Sequence, residues 1–392
     1  MTRVLTPPRP NVDLEQAVAP DPEALIKEAR RRARRRRAAY AVALVAVAAA
    51  IGVFFGFGGG GTKAPRSRGG GERSPRPSRP GLPQAATVEG TLRLSPRDTA
   101  LFAVRGQSLF AVVVTPGQAK SVRVLRSDVS GHVSSRRVPF DLPAFLQDVS
   151  AGPGGIYAGT SVIKRFTSRP DELVRIDPRT LGIRARASFP ASVATVVSGG
   201  ALWATLGDGR VVRLDARTLS IEASQRILPP SLTTSGAATL SKPAFGLGSV
   251  WVLAGNALRL EVVRLDPRTL EVRSRTRVPS RGRLAQALYH VTADARHVYV
   301  VGGAVASVDA NGKLGRPVVV PGLANAAVDG PGLVGLTAET PGLVLLNRNG
   351  RVLARTTVAD AGAVLAVGGS QAWFLGDAGS GNGIVHIRVA LR

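Results

Sequence analysis

From residue 85 to the C-terminus the chain sets short apolar runs against polar punctuation, with a period of two and no helical periodicity. The stretch 193–228 shows the pattern: "VATVVSGG", "ALWATLG", "RVVRLDA" and "IEASQRIL" follow one another with turn residues between them. Each segment reads as a strand, and the four together predict one antiparallel unit.

The pattern recurs, and two markers keep it in step. The first is a hydrophobic strand with an aromatic at a fixed place: Phe110, Tyr157, Trp203, Trp251, Tyr299 and Trp373, with Gly335 at the corresponding place in "LVGL". Successive markers are 47, 46, 48, 48, 36 and 38 residues apart. All three tryptophans of the protein fall on this marker. The second marker is a turn that follows a later strand, at Asp128, Asp177, Asp215, Asp266, Asp309 and Asn347. "LVRIDPRTLGI" (173–183), "VVRLDARTLSI" (211–221) and "VVRLDPRTLEV" (262–272) are near-copies around it. Asp opening the turn accepts a backbone N–H two residues on, and Pro supplies the fixed φ that comes next. "DANG" (309–312) and "NRNG" (347–350) use glycine at the end of the turn instead.

Four strands in roughly 40–50 residues is the size of a propeller blade. The markers predict an all-β domain over 85–392, a seven-bladed β-propeller. The seventh unit supplies only three strands, "AVLAVGGS", "QAWFLGD" and "GIVHIRVALR". The extended segment 86–95, "ATVEGTLRLS", is expected to add the fourth and close the ring, which would leave no exposed sheet edge. The aromatics are expected as wedges between neighbouring sheets.

"VVRLDPRTLEV" with "GSVWV" before it is similar to the repeats of bacterial propellers of the YVTN, NHL and streptogramin-lyase-like kind. The resemblance covers about 97–392 and is most specific in the second to fourth units. It implies a propeller, and such rings serve as lyases, sensors and scaffolds.

Ahead of the repeats the composition changes. Residues 38–57, "AAYAVALVAVAAAIGVFFGF", are apolar or glycine apart from Tyr40, and "RRRARRRR" (Arg30–Arg37) precedes them. Twenty helical residues span about 30 Å, a bilayer core, and an arginine block resists translocation. The sequence thus predicts one transmembrane helix at 38–57 behind a cytoplasmic basic tail, 1–37. A Gly/Pro/Arg linker without core-forming residues, 58–84, follows. The propeller would then lie outside the cytoplasm, at the cell membrane, with lipid as the anchor's partner.

The formal charge is +26, from 52 basic and 26 acidic residues, and only six of the basic residues are lysine. Such a balance suits an acidic cell-envelope polymer. Beyond residue 84, however, the arginines are scattered, as on a solvated surface. Nucleic-acid reading needs aromatics interleaved with arginines on one face, and here the aromatics are committed to the ring, so no nucleic-acid partner is expected. The chain has no cysteine, which removes disulfides, thiolate metal sites and thiol nucleophiles.

Candidate chemistry is sparse. None of His132, His290, His297 and His386 sits at a paired metal-ligand spacing, and there is no nucleophile elbow or phosphate loop. No catalytic, metal or cofactor residue is assigned. His290, beside the inner strand of the fifth unit, and Glu339 form the one pair that could converge on a face of the ring. Arg281 and Arg283, in a long connector, are the candidates for gripping an acidic group. The expected function is a membrane-anchored, extracytoplasmic binding, scaffold or sensor module with an unidentified protein or acidic polymer as partner. The alternative is a propeller enzyme of lyase or quinoprotein type.

Overall fold

The computed structural model describes residues 86–389, apart from 96–97, 116–120, 129, 140–143, 163–170, 199, 231–237, 257–258, 280–289, 330–331, 338–341, 358–364, 369–370 and 378–381. The chain divides into two compact units, Met1–Pro77 and Ser78–Arg392, and every described residue belongs to the second.

Six blades, I to VI, are contiguous stretches of chain: 99–139, 144–189, 193–226, 238–277, 290–319 and 323–357. Each is an antiparallel sheet whose strands follow in chain order from the axis outward. In blade III these are Val193–Ser198, Ala201–Leu206, Arg210–Leu214 and Ile221–Arg226. In blade IV the inner strand comes in two pieces, Ala238–Leu240 and Ala244–Gly246, both paired with Ser249–Asn256. The remaining sheet is composite. Leu365–Gly368, Gln371–Asp377 and Asn382–Val389 run outward, and Ala86–Arg93 pairs along Asn382–Val389 as the outermost strand.

The molecule thus departs from the expected fold class in two respects. In place of the expected seven-bladed ring it has six contiguous blades, while the last marker, Trp373, lies in the composite sheet that Ala86–Arg93 joins. The transmembrane helix of the expectation has no counterpart among the described residues either. Among the described residues no helix is long and apolar enough to cross a membrane, and 38–57 lies outside them.

The hydrophobic core is divided among the gaps between neighbouring sheets. Phe110 and Val124 of blade I pack on Ile156 and Val174 of blade II. Tyr157 and Leu173 of blade II pack on Leu202 and Val212 of blade III. The succession continues around the ring to Trp373 and Ile384 of the composite sheet, which pack with Leu94 on Phe102 and Leu109 of blade I. Period-two strands bury both faces here because each inner sheet face has a neighbour. That explains why the second strands read as unbroken apolar runs.

The two sequence markers meet between blades. The Tyr157 hydroxyl of blade II donates to the carbonyl of Ala216, the residue after Asp215 in the blade III turn, at 2.8 Å. The Trp203 indole of blade III donates to the carbonyl of Pro267, the residue after Asp266 in the blade IV turn, at 2.9 Å. Within each blade the arginine of the "VR[IL]D" segment lies directly across from the aromatic: Arg175 from Tyr157, Arg213 from Trp203, Arg264 from Trp251. In blades II and III aromatic and turn form an inter-blade joint, whereas the Trp251 indole of blade IV donates to the Gly246 carbonyl of its own blade at 2.8 Å.

The turns come in two kinds. In blades II to IV the Asp side chain accepts from the N–H groups two and three residues on, as with Asp177 from Arg179 at 2.8 Å and Thr180 at 3.0 Å. The chain then closes through a left-handed leucine, Leu181 (φ 55), Leu219 (φ 66) or Leu270 (φ 63), each buried. Blades I, V and VI put Gly131, Gly312 and Gly350 in the left-handed position, with φ of 81, 88 and 76.

Candidate functional site

Inner strands of all the sheets face one another around a cavity of about 640 Å3. This is the central channel. Its lining runs from Leu101 and Phe102 of blade I round to Ala324–Ala327 of blade VI and Leu365 of the composite sheet.

A polar collar sits on the channel wall. In blade II the pairing of inner and second strands slips between Leu146 and Asp148, so Gln147 bulges and the alternation shifts by one. Asp148 is thereby held at the channel, buried. Its Oδ2 accepts from the Thr195 backbone N–H at 2.7 Å and hydroxyl at 3.2 Å, both in blade III. Thr195 and Ser150 also join hydroxyl to hydroxyl at 2.6 Å, and both are buried.

Lys242 completes the collar from blade IV. It stands in the break of the inner strand, where Ser241 and Pro243 replace strand pairing with other bonds. Pro243 has no N–H to give, and the Ser241 hydroxyl accepts from the Leu253 N–H at 2.9 Å. The interruption sends the Lys242 side chain past blade III to Asp148 Oδ1, at 2.7 Å, and to the Val149 carbonyl, at 3.3 Å. Nζ carries three N–H groups and these contacts use two. The side chain keeps 42% of its exposure, so the ammonium stays in touch with solvent in the channel.

His290 opens the inner strand of blade V, His290–Ala293, and lines the same cavity. Its Nε2 lies 3.0 Å from the Ala326 carbonyl of blade VI. A carbonyl only accepts, so Nε2 carries the proton. Burial lowers the imidazole pKa, which leaves the ring neutral at pH 7 with Nδ1 as an acceptor. Thr292 on the same strand accepts the Val328 N–H at 3.3 Å, a second stitch between blades V and VI.

Of the residues singled out in the sequence, His290 is the one the structure describes. Arg281, Arg283 and Glu339 lie outside the described residues. His132 and His297 stand apart from the channel lining. His297 makes a local pair with Asp294 at 3.1 Å, and the His132 N–H caps Asp128 in its turn. His386 is in strand register with Trp373 and Gly90. Among the described residues no group of three or more His, Asp or Glu is placed to hold a metal ion. Asp294 lines the channel too, and Asp148 and Lys242 are charged channel residues that sequence reasoning passed over. Their faint signals were an aspartate outside any turn and one of the few lysines beside a proline in a strand-like run.

No family model matches the chain, and no curated protein matches it. Many solved structures do, at low identity. BamB from Moraxella catarrhalis is 14% identical with a TM-score of 0.52, over 77% of this chain and 99% of that one. The β-propeller domain of Cps50 (Swd1) from Myceliophteria thermophila is 13% identical with a TM-score of 0.54, over 78% and 100%. A chain of the Mitotic Checkpoint Complex is 12% identical with a TM-score of 0.58, over 84% and 99%. Identities this low establish shared architecture alone. The chain folds as a β-propeller.

Proposed function

We propose that the ring is a binding and scaffolding module for another protein, displayed outside the cytoplasm. The observation that carries this reading is the state of the channel's polar groups. Asp148, Thr195, Ser150 and Lys242 satisfy one another across three blades, and His290 is tied to Ala326. Groups committed in this way fix the channel wall and offer a shaped, preformed surface. The extracytoplasmic placement draws its support from the sequence, where Arg30–Arg37 precedes the apolar run 38–57.

Photo-crosslinking in intact cells tests the pair of statements. A photoreactive residue at Ser198, on the channel wall, is expected to capture a discrete protein, and one at Ser134 on the outer strand of blade I is not. External protease is expected to digest the ring. Equal capture from both positions would remove the binding role, and survival of the ring would remove its location.

A further inference from the structure

A second cavity, of about 310 Å3, lies away from the channel, where the closing strand Ala86–Arg93 hands over to blade I. Its lining is mostly polar, with Val113 and Val122 as the apolar members. Arg93 comes from the closing strand, Arg123 from the third strand of blade I and Arg137 from the outer strand, with Ser95, Thr115 and Ser121 between them. Asp98 forms one wall. It accepts from the Thr115 hydroxyl at 2.7 Å and the Ser95 N–H at 3.2 Å, and it pairs with Arg123 at 3.0 Å.

The charges do not balance. Arg123 and Arg137 are direct cross-strand partners on the antiparallel pair. Like charges in that position destabilise a sheet. Asp98 answers Arg123. Among the described residues no carboxylate pairs with Arg137 or Arg93. A facing pair of arginines of which only Arg123 has a carboxylate, beside a cavity with Arg93 and hydroxyls around it, is an arrangement that an oxyanion neutralises. Guanidinium forks match its geometry with two parallel bonds each, and hydroxyls complete the shell.

We propose that this cavity binds a phosphate group, free or as a phosphate ester. Arg93, Arg123 and Arg137 supply the charge, and the Ser95 and Ser121 hydroxyls supply further donors. Because Arg93 belongs to the closing strand and the other arginines to blade I, an occupied site ties the closure to the body of the ring. The site is independent of the channel and of the function proposed for it.

Thermal melts of the full chain in inorganic phosphate test it, with chloride adjusted to constant ionic strength. A ligand that binds only the folded state raises the midpoint with saturation, here by roughly 2–4 °C. Arg137→Gln is expected to melt no lower than the parent without phosphate, since the facing charges are relieved, and to lose the phosphate-dependent rise. Arg93→Gln is expected to lose the rise as well. The proposal fails if phosphate does no more than chloride, or if the rise persists in both variants. Two further arms separate the sources. Arg137-dependent sedimentation with phosphatidylglycerol vesicles, absent with phosphatidylcholine, assigns a lipid headgroup. Protection by soluble glycerol phosphate without Arg137-dependent sedimentation assigns a soluble ester.

Discussion

Leucine in a left-handed conformation is unusual, and the described residues hold four, Leu247 and three in the Asp turns. Leu181, Leu219 and Leu270 each sit at the end of an Asp turn with positive φ and a buried side chain. The strain of a left-handed non-glycine residue is about 1–2 kcal/mol. Burying a leucine in a tight core is worth more, since Leu→Ala truncations cost about 2–5 kcal/mol. Burial therefore wins. Leu270 is fully buried, packed between blades III and IV. Leu270→Ala is expected to lose about 2–5 kcal/mol in chemical denaturation, and Leu270→Gly about 1 kcal/mol less, because glycine accepts the conformation freely. A glycine variant less stable than the alanine one would show that the backbone is not under strain there. The aspartate of the same turn gives a pH signature. Backbone N–H groups of Thr180 and Arg179 hold Asp177 at a pKa of about 2, and those of Thr269 and Arg268 hold Asp266 at about 2. Both lie below the ordinary 3.8, so the folded state binds its proton more weakly than the unfolded state. The stabilisation is complete above the unfolded value and disappears as pH falls through the folded one. Melting temperature is expected to drop between about pH 4 and pH 2. The Asp177→Asn, Asp266→Asn double variant should drop less steeply, and an equal slope would exonerate these two carboxyls.

Between blades, the joint of aromatic and turn sets the register. Tyr157 and Trp203 each spend their polar atom on a carbonyl of the next blade's turn while their rings fill the gap. Tyr157→Phe keeps the ring and removes the donor, leaving the Ala216 carbonyl short of a bond. The expected loss is about 1 kcal/mol, read as a lower denaturation midpoint at constant slope. A change of slope would mean a rearranged joint instead of one missing bond. Blade VI shows what happens without the aromatic. A Cβ on Gly335 would lie 2.6 Å from Leu323 Cδ1 and 2.9 Å from Val344 Cγ1, so aliphatic neighbours occupy the ring's place. Arginines work at the same joints. Arg136 of blade I donates to the Thr180 carbonyl of blade II at 3.1 Å, and Arg275 of blade IV to the Ile227 carbonyl beyond blade III at 3.3 Å. Part of the basic excess thus belongs to structure. This joint was legible in the sequence, because its parts recur at fixed spacing and each has a local chemical reason. The channel collar was not. Asp148 reaches the axis through a bulge at Gln147, and Lys242 through a broken strand. A bulge changes which side an alternating run presents without changing the run itself, so the pattern read from residues puts both side chains in the wrong place.

A ring of sheets differs from a stack in having no end, and here that depends on one strand from the start of the repeat domain. Ala86–Arg93 runs antiparallel to Asn382–Val389 with a single slip between Val88 and Gly90. Just after it, Leu94 enters the core shared by the composite sheet and blade I, with Trp373, Phe102 and Leu109. Without that segment the sheet's outer edge moves inward to Asn382–Val389 and the last interface loses an apolar contact. Each blade's core lies in its gaps, so loosening one interface weakens the support of the two sheets beside it. The collar limits the damage, since Lys242 and Asp148 join blades that are not neighbours. Removal of residues 1–95 is therefore expected to leave the sheets formed, with little change in far-ultraviolet circular dichroism. The melting midpoint should fall, and the truncated chain should associate at rising concentration through the exposed edge. A synthetic strand spanning 85–96, added in trans, should reverse both effects, because pairing along Asn382–Val389 needs no covalent link. If the truncated chain melts where the full chain does and stays monomeric, closure rests on the cores between blades, and the hydrogen-bonded strand is dispensable to the ring.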